Sequence, residues 1–415
     1  MLQYAVKKNW IYLPLSIVIL GFYVANATMH QGCSYDINCW FEWSWYGKEN
    51  GIQNIYTSST NYFPLYLYLL TGFASFFDSV EQLGAYIYIL RLITLIFDIL
   101  GVYFIYLFLE KRYSFWKLLV FAFINISFLY NSLIWGQVDA ILGFLVFASI
   151  YYLHKQNIVL AALFLALSLT FKLQAIIFLP VFGLYLLYKT PLRQWLSKVS
   201  IAVIIFIASL LLICFPFIIE PERFLIFKSA VTGLVGYYPV VTMGAANMWS
   251  IFLSDHADKI LDNTALLAAI TYKQTGLALF CISSFFALLP LLKAIIRKIK
   301  ANMGNVFSVD KLMLTASLVG LNFYFFNTQI HERYSHPVFL FLMCYSFLRK
   351  DYFPFILFSI AYFLNLESLL RWGQFDNYHT VIFERYFAGA LYAIVLIYLF
   401  FRLYQKKHIQ QTDQS

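Results

Sequence analysis

The sequence predicts an all-α integral membrane protein of about twelve transmembrane helices, and three observations carry that prediction. Of its 415 residues, 62% are hydrophobic, 20% aromatic and 12% charged, whereas a soluble domain has about 45–50% apolar and about 25% charged residues. That leaves too little polar surface to coat a soluble particle of this size, which excludes a cytosolic globule, a disordered chain and a collagen-like fibre. Apolar stretches of roughly 20 residues, the length that crosses a bilayer core, recur from end to end. The basic residues, finally, gather on alternate connections between these stretches.

Crossings are expected at about 10–27, 84–109, 115–133, 138–153, 157–171, 174–188, 199–218, 265–292, 311–328, 335–348, 352–368 and 386–403. The first has no small-residue cleavage site and reads as a retained helix, not a signal peptide. Residues 157–188 read either as one helix of about 48 Å or as a hairpin with Lys172 near its tip. Charge decides for the hairpin. With it, one face holds Lys7, Lys8, Lys111, Arg112, Lys117, Lys155, Lys189, Arg193, Lys198, Lys293, Arg297, Lys298, Lys300, Lys311, Arg349, Lys350, Arg402, Lys406 and Lys407, which is 19 of the 29 basic residues. Of the 20 acids, only Glu110, Asp310, Asp351 and Asp413 share it. The positive-inside rule makes that face cytoplasmic, together with both termini and the tail 404–415.

The other face carries the long connections, 28–83, 219–264 and 369–385, with short polar turns at 131–139 and 329–336. No internal repeat, low-complexity tract or soluble domain interrupts a single polytopic unit. Since function concentrates in long loops, chemistry is expected there. Cys214, Cys281 and Cys344 sit in apolar runs as small hydrophobes. Cys33 and Cys39, six apart in the first external loop, read equally as a small disulfide loop or as a reduced pair.

Four clusters could carry chemistry. In the first loop Asp36 is followed by Trp40, Glu42, Trp43, Trp45 and Tyr46. A carboxylate among aromatic rings suits sugars, the rings packing on pyranose C–H faces and the carboxylate taking a hydroxyl proton as general base; an interfacial aromatic belt with a solvated acid is the bland reading. Trp135, Gln137 and Asp139 form a polar turn that is either a pocket at headgroup depth or a helix start capped by Asp139. Lys172, with Gln174 beside it, lies among apolar residues and calls for an anionic partner or a snorkelling path. His331-Glu332-Arg333-Tyr334-Ser335-His336 is the densest polar run, and Arg333 with His331 offers donors to a phosphate. Metal ligation is disfavoured because Glu332 and Pro337 break the usual zinc spacing. Arg91 and Asp98, seven apart in one crossing, read as a structural buried pair.

The order of these pieces (Asp36, Asn61-Tyr-Phe-Pro64-Leu, Trp135-Gly-Gln-Val-Asp139, Phe171-Lys-Leu-Gln174, Ala246-Asn247-Met-Trp249 and His331-Glu-Arg-Tyr334) resembles the membrane glycosyltransferases of the GT-C superfamily. The pattern is most similar to the group of the second mannosyltransferase of GPI-anchor assembly and its bacterial relatives. The endoplasmic-reticulum glucosyltransferases that use dolichyl-phosphate glucose are similar in the first loop and in a His-Glu-Lys counterpart of His331-Glu332-Arg333. The resemblance spans about residues 10–340.

It implies a GT-C-like fold whose long first external loop carries short interfacial helices. It also implies an inverting transfer of a hexose, mannose or glucose, from a polyprenyl-phosphate carrier to a glycan or glycolipid acceptor on the periplasmic or lumenal face. Asp36 carries over as the catalytic base, and His331 and Arg333 as residues beside the lipid phosphate. Glu42 and Glu49 in the same loop depart from the pattern and compete for the role of base. Lys172 joins the phosphate cradle. Trp40, Trp43, Trp135, Gln137, Asp139, Gln174, Asn247 and Glu332 are candidates for contacts to sugar or acceptor. No cofactor is firmly expected, although a divalent metal occurs in the superfamily. Membrane lipid is a partner and nucleic acid is not. Richness in Phe, Tyr, Ile and Lys points to an AT-rich genome and a bacterial inner membrane, with the endoplasmic reticulum as the alternative. A flippase for lipid-linked sugar would show matched halves with broken helices, and no such symmetry is present. A polysaccharide polymerase or ligase using diphosphate-linked sugars is the other rival.

Overall fold

The computed structural model describes residues 11–29, 32–234, 236–301 and 307–405. Lys7, Lys8, Lys406, Lys407 and Asp413, and with them nearly all of the tail expected at 404–415, lie outside the described residues.

Among these residues, seven helices are long and apolar enough to cross a membrane: Tyr12–Met29, Ile89–Phe108, Leu192–Ile218, Tyr272–Lys300, Val309–Phe326, Phe353–Leu370 and Arg385–Tyr404. An eighth arises if Phe115–Ile124 and Ile126–Trp135, bent by 84°, are one span. At the bend Asn125 leaves helical geometry and caps the second piece, its side chain accepting from Ser127 N–H. The sequence led to an expectation of about twelve. The remaining four are the shorter apolar helices Asp139–His154, Ile158–Phe171, Leu173–Lys189 and Val338–Arg349. With 16 residues, Asp139–His154 rises only about 24 Å, against a hydrocarbon core of about 30 Å.

Two of these four short helices are enclosed by protein. Residues 139–150 and 338–347 are buried without interruption, so protein rather than lipid surrounds them and they need not match the bilayer. Their ends, and the polar residues on those ends, are recessed from the surface. The outer helices face lipid instead: Leu192–Ile218 exposes Ile204, Leu211 and Leu212. The reversal at Lys172 is a hairpin. Its backbone there is extended (φ −155°, ψ 131°), and His154 Nδ1 lies 2.8 Å from the Tyr185 hydroxyl, which returns residue 185 to the end where residue 154 lies. One boundary moves. The crossing expected at 265–292 begins at Tyr272, because Ala265–Leu267 and Ile270–Thr271 first pair as an antiparallel ribbon.

The first long connection folds into the helices Ser34–Asn50, Pro64–Ala74 and Val80–Tyr86, with a 3-10 turn at Ile52–Thr57. It is fastened to the turn at 131–139. Cys33 N–H donates to the Trp135 carbonyl at 2.8 Å, and Trp40 Nε1 donates to the Gly136 carbonyl at 3.3 Å. Gly136 is left-handed (φ +91°), and a Cβ there would lie 2.8 Å from Ile37 Cδ1. Only glycine combines that backbone with that approach. Cys33 and Cys39 are free thiols. Six residues along or just ahead of one helix separate their backbones by about 9 Å, beyond disulfide reach.

Gly136→Ala is therefore expected to lower the melting temperature in detergent, with a cost of about 1–2 kcal/mol from the backbone alone. Gly72→Ala, whose Cβ meets nothing within 4 Å, should leave it unchanged or slightly higher. Thermal unfolding of the two variants side by side checks this.

Candidate active site

The recessed helix ends and the first loop enclose a cavity of about 990 Å³. Asp36, Trp40, Trp43, Trp135, Lys172, Gln174, His331, Glu332 and Arg333 all line it, although they come from four distant parts of the chain. Glu42 lines it as well, whereas the exposed Glu49 does not.

On one wall Asp36 sits in the first turn of Ser34–Asn50. Its Oδ2 accepts a hydrogen bond from Trp135 Nε1 at 2.9 Å. Trp135 thus holds the carboxylate, while its own backbone is held by Cys33. Trp40 packs edge-on against Tyr62 and Tyr66, each at 4.9 Å, and forms the aromatic floor beneath.

Elsewhere on the lining, Lys172 Nζ meets Asp139 Oδ1 at 2.5 Å. Asp139 Oδ2 lies 3.6 Å from Arg333 Nε, and Arg333 NH1 reaches Glu332 Oε1 at 2.5 Å. The lysine that called for an anionic partner finds it in Asp139, which stands behind the lining and is fully buried. Asp139 makes no capping bond to its helix, so the capping reading does not describe it. Tyr334 completes this wall, its ring 4.5 Å from Lys172 Nζ.

The His331–Arg333 segment is clamped from outside the bundle. Ile330 and His331 pair in parallel with Thr242 and Met243. Thr328 Oγ1 and Gln329 Nε2 both donate to Asp262, at 2.9 and 2.7 Å. Asn365 Nδ2 donates to the Glu332 carbonyl at 3.0 Å.

Two other expected contacts lie behind the cavity wall. Asn247, fully buried and off the lining, forms a capping box for Met248–Leu253, its side chain accepting from the N–H groups of Trp249 and Ser250. Gln137 is also fully buried and accepts from the Tyr62 hydroxyl at 3.4 Å. Arg91 and Asp98 have separate partners: Arg91 donates to the Ala27 carbonyl at 3.1 Å, and Asp98 faces His336 Nε2 at 3.9 Å.

Electrostatics divide the histidine from the arginine. Burial, with Arg333 next, pulls the His331 pKa below its ordinary value, so at neutral pH the ring offers a hydrogen bond without a positive charge. Burial opposes the Arg333 charge too, but Glu332, Asp36 and Asp139 outweigh it and hold the guanidinium ionised. Burial likewise opposes the Glu332 charge, and Arg333 with His331 reverses that, bringing its pKa down to about 2. Among the described residues no three His, Cys, Asp or Glu side chains converge as a metal-ligand set.

The cavity also opens sideways. Ile176 and Leu277 belong to its lining and are 47% and 52% exposed, on elements whose outer faces are apolar. The chamber that holds these charged groups thereby communicates with the lipid-facing surface. Tyr62 and Tyr334, which belong to the motifs Asn61-Tyr-Phe-Pro64 and His331-Glu-Arg-Tyr334, line the chamber as well, as do Tyr238 and Lys273, which were not anticipated from the sequence.

Residues 60–237 match the model of glycosyltransferase family 87. That stretch includes Trp135, Asp139, Lys172 and Gln174, and leaves out Asp36 and the His331–Arg333 segment. No curated protein matches the chain.

The two groups of the clamp that titrate at acid pH, His331 and Glu332, give stability the same pH dependence. His331 titrates lower folded than unfolded, so the stability tied to its neutral form is complete above about 6.5 and declines as pH falls below that. The Glu332 contribution is complete above about 4.5 and is lost as pH falls towards about 2. Acid unfolding should therefore begin below about pH 6.5 and steepen below about pH 4.5. Glu332→Gln should weaken the second phase, as read from melting temperature across a pH series.

Proposed function

We propose that this chain is an inverting membrane glycosyltransferase that moves a hexose, mannose or glucose, from a polyprenyl-phosphate carrier to a glycan or glycolipid acceptor. The match to a glycosyltransferase family supports the transferase class. The observation that carries the finer reading is the chamber itself: a held carboxylate, a lysine and an arginine on one lining, and an apolar side exit.

Each feature has a part in a single displacement. The isoprenoid of the donor lies along the side exit past Ile176 and Leu277, and its phosphate rests against Lys172 and Arg333, with His331 donating a hydrogen bond. Trp40, Trp43 and Gln174 shape the space for the sugar. Asp36 takes the proton of the acceptor hydroxyl, whose oxygen attacks the anomeric carbon from the face opposite the phosphate. The anomeric C–O bond to phosphate breaks, and the electron pair leaves on the phosphate oxygen. Fixed cations stabilise that growing charge without reorganising, so no general acid is required. Trp135 keeps Asp36 pointed at the acceptor.

Charge counting favours a phosphodiester donor over a diphosphate. The lining sets Lys172, Lys273 and Arg333 against Asp36, Glu42 and Glu332, and Asp139 stands behind Lys172. With three cations against four carboxylates the chamber holds no surplus positive charge, so a donor with one negative charge is opposed less than a diphosphate-linked oligosaccharide with two, which weighs against a polymerase or ligase. The basic bias of the opposite face supports placing the chamber at the periplasmic or lumenal surface, in a bacterial inner membrane.

Asp36→Asn should reduce transfer from a radiolabelled polyprenyl-phosphate sugar by about 10²–10⁴-fold while donor binding persists. Glu42→Gln should retain most activity, and the reverse outcome would make Glu42 the base. Trp135→Phe keeps the ring and loses the N–H, so it should lower kcat by about tenfold, as one hydrogen bond of about 1–1.5 kcal/mol implies, with KM for the donor little changed.

A further inference from the structure

A second hollow, of about 410 Å³, lies at the far end of the helices Asp139–His154 and Ile158–Phe171 from the active-site chamber. It is formed by the turn at Lys155, Gln156 and Asn157 and by the first turns of Trp195–Ile218, which contribute Lys198 and Ile201.

Its charge has one sign. Lys155 and Lys198 line it, and Lys189 is close enough to Lys155 for the two charges to repel. Among the described residues no carboxylate forms an ion pair with any of the three. Glu110, whose charge reaches Lys155, is already bonded to Arg112 at 2.9 Å. The 14-residue helix Ile158–Phe171 begins here, with the Asn157 side chain accepting from Leu160 N–H. The N–H groups of Ile158 and Val159 have no partner within that helix, and its positive dipole end adds to the lysines.

The floor is different. Val159 and Ile201 are 49% and 38% exposed, at the upper edge of a lipid-facing surface. The positive-inside bias explains why lysines lie on this face. It does not explain why two of them converge on one hollow with a helix start at its back and an apolar floor below.

We propose that this hollow binds the phosphate headgroup of an anionic phospholipid, with the lysines on the phosphate and an acyl chain along Val159 and Ile201. The site is independent of the transfer reaction and anchors the lipid to the hairpin whose other end carries Lys172.

Native mass spectrometry of the full chain in neutral detergent, titrated with phosphatidylglycerol or phosphatidylcholine, tests it. Wild type should retain phosphatidylglycerol in preference to phosphatidylcholine. Lys155→Ala and Lys198→Ala should each weaken retention about fivefold, and the pair about thirtyfold, whereas the double arginine variant should retain it. Melting temperature shows whether the alanine pair is folded. Equal retention of the two lipids by wild type overturns the proposal on its own, without any variant. So does undiminished phosphatidylglycerol binding by the alanine pair. Inorganic phosphate has no chain to lay on the floor and should compete only weakly; competition equal to the lipid, mole for mole, would assign the hollow to a free anion instead.

Discussion

The buried contact between Lys172 and Asp139 is the interaction on which the rest of the chamber depends. Neither charge is tolerable alone at that depth, and removing one partner of such a pair costs about 3–5 kcal/mol because the other is left uncompensated. The pair fixes the hairpin tip against the start of the central helix Asp139–His154 and presents Lys172 to the cavity. Asp139 also faces Arg333, so the same carboxylate couples the hairpin to the clamped segment at 331–333. Without it, the cationic wall would be two unrelated side chains.

The part of the chamber that holds Asp36 is built on hydrogen bonds and a backbone turn. Gly136 permits the first loop to lie against the turn at 131–139, and the turn returns the favour by placing Trp135 on Asp36. A chamber with one wall set by ion pairs and the other by a single indole has unequal tolerances. The charged wall is stiff because several partners over-determine each group, while the carboxylate wall depends on one loop staying closed.

Much of this was legible in the sequence, and the exceptions have physical causes. Asp36 and the His331–Arg333 run stood out because charge is scarce in an apolar chain, and they share one cavity. The reversal at Lys172 followed from the sidedness of distant lysines. The partner of Lys172 was hidden, since nothing in a 33-residue separation indicates which carboxylate two packed helices will bring together. Asn247 beside Trp249 suggested a sugar contact, but an Asn three residues before Ser250 is also a capping box, and the backbone N–H groups took it. Tyr238 went unnoticed among 32 tyrosines. The central helices, apolar on every side, carry no periodic stripe to show that they are enclosed by protein and need not span the bilayer.

The placement of the Lys172–Asp139 pair has a consequence for biogenesis. Both members lie on adjacent helices of one continuous segment, so they can neutralise each other while the nascent chain is entering the bilayer. Each charge would otherwise add about 2.5–3.5 kcal/mol to insertion. Arg333 and Glu332, synthesised much later, arrive as a second self-compensated couple. These four charges of the site can therefore enter the lipid as two compensated couples.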